Sequence, residues 1–201
     1  MHPNRRLFFV MPLAIVIALG ACTDNMFPNK THDWACFDGT IATGSICQTD
    51  NASLTYWVDA NLGADGRATI DSIMHSQFGS TDLNPSYDSS PSYSGQAETD
   101  IIYEKVPATI MPTQAIGITW CEDADQGYQC DQQYIAYKTG IPVTANMACH
   151  ESGHAVGLMH GSESDPVVNN TDPQLGCMRT PADDSANTLG GMNVGEIDDT
   201  Y

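Results

Sequence analysis

Residues 150–160 read HESGHAVGLMH, and this spacing dictates a helix that has to stop. Side chains four apart on an α-helix lie one above the other, so His150 and His154 turn both imidazoles to one side. Glu151, about 100° further round, stands outside a neat triangle of ligands but within reach of a water held beside them. If the helix ran on, His160 would sit about 15 Å along the axis from His150 and could share nothing with it. The chain must turn back between them. Gly157 is the residue able to do this, because a residue without a Cβ enters the left-handed conformation at a helix end without steric cost. Thr144, just after Pro142, is the candidate N-cap, which starts the helix at residue 144 or 145. At this chain's composition, the five residues would coincide by accident on the order of once in a hundred thousand chains. The pattern is therefore read as a site. Three neutral imidazoles with a fourth position open make a catalytic zinc centre rather than a sealed structural one.

The same residues carry a family resemblance. HESGHAVGLMH resembles the signature HExxHxxGxxH of the metzincin clan of zinc endopeptidases, and its HExGHxxGLxH form is most similar to matrixin-like bacterial proteases of about snapalysin size. The resemblance covers residues 146–180. It implies a Met-turn, for which Met178 in LGCMRTP, eighteen residues after His160, is the candidate; Met159 lies inside the motif and Met192 in a glycine-rich tail. It also implies a fold: an α+β zincin domain with a small, twisted, mostly parallel sheet, an active-site helix, the Met-turn and a C-terminal helix. The activity implied is hydrolysis of peptide bonds in a protein or peptide substrate, with Zn2+ held by His150, His154 and His160 and Glu151 as general base. In metzincins the substrate lies extended along an edge strand, which here would be residues 132–139 or 117–121. A surface protein that keeps the zinc and acts only as a recognition module is the alternative, but such a module has no use for the glutamate.

Residues 2–6 are short and basic, residues 7–19 are almost wholly apolar, and LGAC follows at 19–22. The apolar run is too short to span a bilayer and has the length of a signal-peptide core. LGAC resembles a bacterial lipobox, so Cys22 is the lipidation candidate, giving a lipid-anchored envelope protein. Plain secretion after Ala21 is the alternative. Export suits the cysteines. Setting Cys22 aside leaves Cys36, Cys47, Cys121, Cys130, Cys149 and Cys177, an even number that reads as three disulfides. Six cysteines allow fifteen connectivities; closeness along the chain suggests Cys36 with Cys47 and Cys121 with Cys130, and Cys149 would then join Cys177. A cysteine latency switch of matrixin type is a further reading, but ACFDG around Cys36 does not match the switch sequence.

Residues 23–52 are polar, contain two of the cysteines, and read as a tether with a small disulfide loop; residues 53–201 read as one catalytic domain. Beyond residue 22, five Lys or Arg stand against 25 Asp or Glu, so nucleic acid is not an expected partner. A monomer is expected. Alternation predicts strands at 54–60, 99–106, 115–121 and 133–139, helical spacing predicts an amphipathic helix over 66–78, and residues 79–97 read as a long loop. NVGEIDDTY closes the chain as a short helix. Asp123, Asp125 and Gly127, or Asp59, Asn61 and Asp65, offer oxygen ligands for Ca2+. Both stretches also read as solvated turns, and neither has the glutamate and spacing of an EF-hand loop. Tyr134 and Tyr137 are candidates to line a substrate cleft.

Overall fold

The computed structural model describes residues 23–201 apart from Gln96 and Gln126. The expected signal segment and the lipidation candidate Cys22 lie outside the described residues. No helix among the described residues is long and apolar enough to cross a membrane.

Strands form where side chains alternate. They are β2 (Thr55–Val58), β4 (Ile101–Val106), β5 (Gly117–Ala124) and β6 (Gln129–Lys138), with two-residue strands β1 (Gln48–Thr49) and β3 (Ser86–Tyr87) added at the margins. The order β1-β6-β4-β2-β3 is parallel throughout, and β5 runs antiparallel beside β6. The sheet is thus mostly parallel, and the described residues form an α+β architecture with three α-helices. β3 falls inside the stretch expected to be loop. Its residues carry no apolar alternation, and only backbone pairing with β2 makes them a strand.

Pleating sends alternate residues of β4 and β6 to opposite faces. Ile101, Tyr103, Ile135 and Tyr137 enter the main core with Ile70, Met74 and Ala148 of the helices, while Val106, Ala136 and Trp120 form a smaller cluster on the other face. Helix α1 (Gly63–Ser76) buries Ile70, Ile73 and Met74 at helical spacing. It starts and ends earlier than the periodicity predicts. Asp59 caps a short 3-10 turn that feeds into its start, and Phe78 is buried from a second 3-10 turn after its end. Helix α2 (Ala145–Ala155) has Thr144 as its N-cap, the hydroxyl accepting the N–H of Met147. Helix α3 (Gly191–Thr200) ends the chain. Beyond it, the Tyr201 hydroxyl donates to the Val156 carbonyl at 2.9 Å and accepts the N–H of Thr49 at 3.0 Å.

All three expected disulfides are present: Cys36–Cys47, Cys121–Cys130 and Cys149–Cys177. With Cys36 bonded to Cys47, its sulfur is not a free thiolate ligand.

Residues 24–32, expected to belong to a loose tether, are instead packed onto the body. Asn25, Met26 and Phe27 are buried. Asp24 and Met26 bridge to Asp165 and Leu158, and the Asn25 amide donates to Met159 O and Asn193 Oδ1, both at 2.9 Å. These bonds join residues more than 130 apart in sequence, so local composition could not disclose them.

Candidate metal centre

α2 presents His150 and His154 one turn apart, and the chain then reverses. Gly157 has φ +94°, the left-handed region expected of it. A Cβ there would also stand 2.9 Å from Met26 Sδ and 3.1 Å from Gln48 Cγ, so a side chain would press on both neighbours as well as strain the backbone. The return brings His160 back over the helix. One ring nitrogen from each of His150, His154 and His160 lies within 4.8 Å of the others, a group that could hold a metal ion.

The outer nitrogens decide which tautomer each ring takes. His150 Nδ1 is 2.8 Å from Cys177 O and His154 Nδ1 is 2.7 Å from Leu158 O. A carbonyl oxygen only accepts, so each Nδ1 must carry the proton. His160 Nδ1 is 3.1 Å from a Glu163 carboxylate oxygen and donates in the same way. With the protons outside, all three Nε2 atoms turn lone pairs inward. His150 Nε2 is 3.1 Å from His154 Nε2 and 3.2 Å from His160 Nε2. Lone pairs that close repel unless a cation lies among them. The spacing approaches the value of about 3.3 Å between two nitrogens bound tetrahedrally to Zn2+ at about 2.05 Å. The donor set fits a metal ion. Burial holds the His150 imidazole down to about 4 and that of His154 well below its ordinary value, which keeps both rings neutral as ligands.

Met178 is fully buried beneath the helix. A Cβ on Gly153 would collide with Met178 Sδ, so Gly153 lets the thioether lie against α2 between the two helical histidines. The neighbouring residue Cys177 ties this floor to α2 twice, through its disulfide to Cys149 and through its carbonyl to His150.

Glu151 is buried and faces the same cavity, a cleft of about 570 Å3. Burial pushes its carboxyl up to about 7, a shift opposed by a hydrogen bond from Thr119. The Thr119 hydroxyl lies 2.8 Å from Glu151 Oε2, and a Cβ on Gly117 would stand 2.5 Å from Oε1. One carboxylate oxygen is thus anchored while glycine leaves room for the other. Glu163, Thr119 and Gly117 were not among the residues expected to act here. Thr119 and Gly117 come from a strand some thirty residues upstream, and a single sequence carries no signal of that approach.

β6 is hydrogen-bonded on both sides, so residues 132–139 are not a free edge. β5 is the edge strand. Its Cys121 N–H donates to Ser45 O at 3.1 Å and its carbonyl accepts from Gly39 N–H at 2.9 Å. Alternation points the N–H and C=O groups of Thr119 and Gly117 to that same outer side, beside Glu151. Tyr137, considered for the cleft, is instead fully buried in the main core, and Tyr134 packs on Trp120 at 5.4 Å in the opposite cluster. Neither lines the cleft.

A second cluster stands apart. Asp50, Asp100 and Asp131 bring carboxylate oxygens within 4.8 Å of one another. The adjoining cavity is lined also by Glu98, Asp123 and Asp125. Glu98 is 8% exposed, and its Oε2 is buried without a hydrogen-bond partner. Burial raises Asp100 to about 6, against hydrogen bonds from Thr55 that lower it. Asp123 and Asp125 thus share this cavity with carboxylates distant in sequence. Asp59 accepts the N–H of Asn61 at the start of the 3-10 turn.

No protein-family model matches this chain, and no curated protein matches it significantly.

Proposed function

We propose that this protein is a zinc-dependent endopeptidase of metzincin type. The observation that carries the reading is the inward convergence of three Nε2 lone pairs beside a buried glutamate, at the free edge of β5. Support also comes from the order of elements: a mostly parallel sheet with one antiparallel edge strand, then α2, a glycine reversal and Met178 as an apolar floor.

His150, His154 and His160 would hold the cation. When bound, Zn2+ supplies a Lewis acid that activates water and polarises a carbonyl. The outer partners Cys177 O, Leu158 O and Glu163 hold the three rings in the required tautomer. Glu151 takes the proton from the attacking water at its unanchored oxygen, Oε1, and returns it to the leaving amine. The Thr119 hydrogen bond to Oε2 keeps that oxygen pair aimed. The outward N–H and C=O groups of Gly117 and Thr119 pair with an extended peptide and set its scissile bond beside Glu151.

The test is hydrolysis of casein or a quenched peptide by the zinc-loaded protein. Cleavage should stop on chelation and return when zinc is restored. Metal uptake with no cleavage of any peptide would leave the recognition module in its place.

The acidic cluster fits Ca2+, a hard cation that takes six to eight oxygen ligands. Calcium at a hundred times its Kd should add about 2.7 kcal/mol of stability, which raises the melting temperature by about 5–10 °C for a chain of this size. The Asp100→Asn and Asp131→Asn variants should lose that gain. A melting temperature indifferent to calcium in the parent protein would remove this ion from the account.

A further inference from the structure

We infer that an aromatic groove beside the metal centre binds a large apolar side chain on the amino-terminal side of the cleaved bond. This inference rests on the peptidase reading and names the substrate class that the site prefers.

The groove, about 460 Å3, is lined by Phe27, Trp34, Phe37, Ile46 and Met159, with Glu163 at its margin. Trp34 is 49% and Phe37 48% exposed, an unusual placement for two large rings lining one groove. Trp34 is held by packing on the buried Phe27 at 5.5 Å and on His32 at 5.1 Å, and the backbone before Phe37 is tied by the Cys36–Cys47 disulfide. A preformed apolar surface binds at lower entropic cost than a mobile one.

Continuity with the cleft identifies the occupant. Gly44 and Ile46 line both the groove and the metal cleft, and Met159 on the groove floor precedes the ligand His160. Among the described residues, the outer edge of β5 is free at Gly117 and Thr119 but closed at Cys121, where Gly39 and Ser45 already occupy its hydrogen-bonding groups. A peptide pairing with β5 in the more stable antiparallel sense runs from the Cys121 end toward Gly117. Its residues before the scissile bond therefore meet the blockade at Cys121. They must lift off the strand edge over Gly44 and Ile46, which leads to Trp34 and Phe37. At about 3.4 Å per residue, the side chain delivered there lies roughly two to four positions before the cleaved bond.

The experiment uses the full chain loaded with zinc and a set of quenched peptides that differ only at those upstream positions. Phe or Leu should give at least about tenfold higher kcat/KM than Ser or Asp, since burial of one large apolar side chain is worth a factor of that order. In a Trp34→Ala, Phe37→Ala double variant that ratio should fall below about two. A second readout avoids turnover. Binding of the apolar peptide to the Glu151→Gln protein should shift tryptophan emission, and adding Trp34→Phe, which retains an aromatic packing partner for Phe27, should abolish the shift. Cleavage with no upstream preference and no Trp34 signal overturns the groove and leaves the peptidase standing. If no peptide is cleaved, the peptidase reading fails, and the Trp34 emission decides whether the groove binds apolar peptide.

Discussion

The Glu151→Gln protein is expected to retain its metal and to lose peptide hydrolysis by a factor of about 10² to 10⁴, the range over which a positioned general base contributes. Glutamine has nearly the shape of glutamate, and its amide oxygen can still accept from the Thr119 hydroxyl that now lies 2.8 Å from Oε2. What it cannot do is take a proton. The readouts are kcat on a quenched peptide and metal content by elemental analysis. Turnover within a few-fold of the parent would remove Glu151 from the role of base. Acid should abolish activity in the parent for the same reason. Burial favours the protonated carboxyl and pushes it up to about 7, whereas a cation alongside favours the ionised form. Activity is therefore lost as pH falls through whatever value results.

His160→Ala should weaken zinc binding by more than the 10- to 100-fold typical of changing an outer partner, because one of three coordinating nitrogens is removed outright. Glu163→Ala should fall within that 10- to 100-fold range. Its carboxylate accepts both the Nδ1 proton and the backbone N–H of His160 at 3.1 Å, and without it the ring is free to turn its lone pair away. Competition with a chromogenic chelator measures both. Equal effects of the two substitutions would mean that His160 is not itself a ligand, and an unchanged affinity in His160→Ala would dissolve the three-nitrogen centre.

The centre was legible to different depths. His150 and His154 need only the pitch of a helix, and His160 needs only a reversal that Gly157 is uniquely fitted to make, as its φ of +94° bears out. The three disulfides match the pairing that closeness along the chain suggests, but six cysteines allow fifteen pairings and only the structure selects this one. Thr119 was not legible. Its hydroxyl meets Glu151 across 32 residues, and a threonine on a half-buried strand looks the same whether or not it touches a carboxylate. Residues 24–32 misled for a related reason. Polar composition suggested a tether, yet Asn25, Met26 and Phe27 fill space against the chain leaving α2.

What the amino-acid order determines alone is local: the face on which two histidines stand, the point where the helix must end, and the alternation that makes β4, β5 and β6. Only tertiary packing decided that β5 and not β6 is the open edge, that Gly117 and Gly153 make room for Glu151 and Met178, and that Asp50, Glu98, Asp100 and Asp131 share one acidic pocket. The division has one physical cause. Helical pitch and strand pleat repeat within a few residues and leave their period in the sequence, whereas a contact between distant segments depends on how whole elements dock and leaves no period to read.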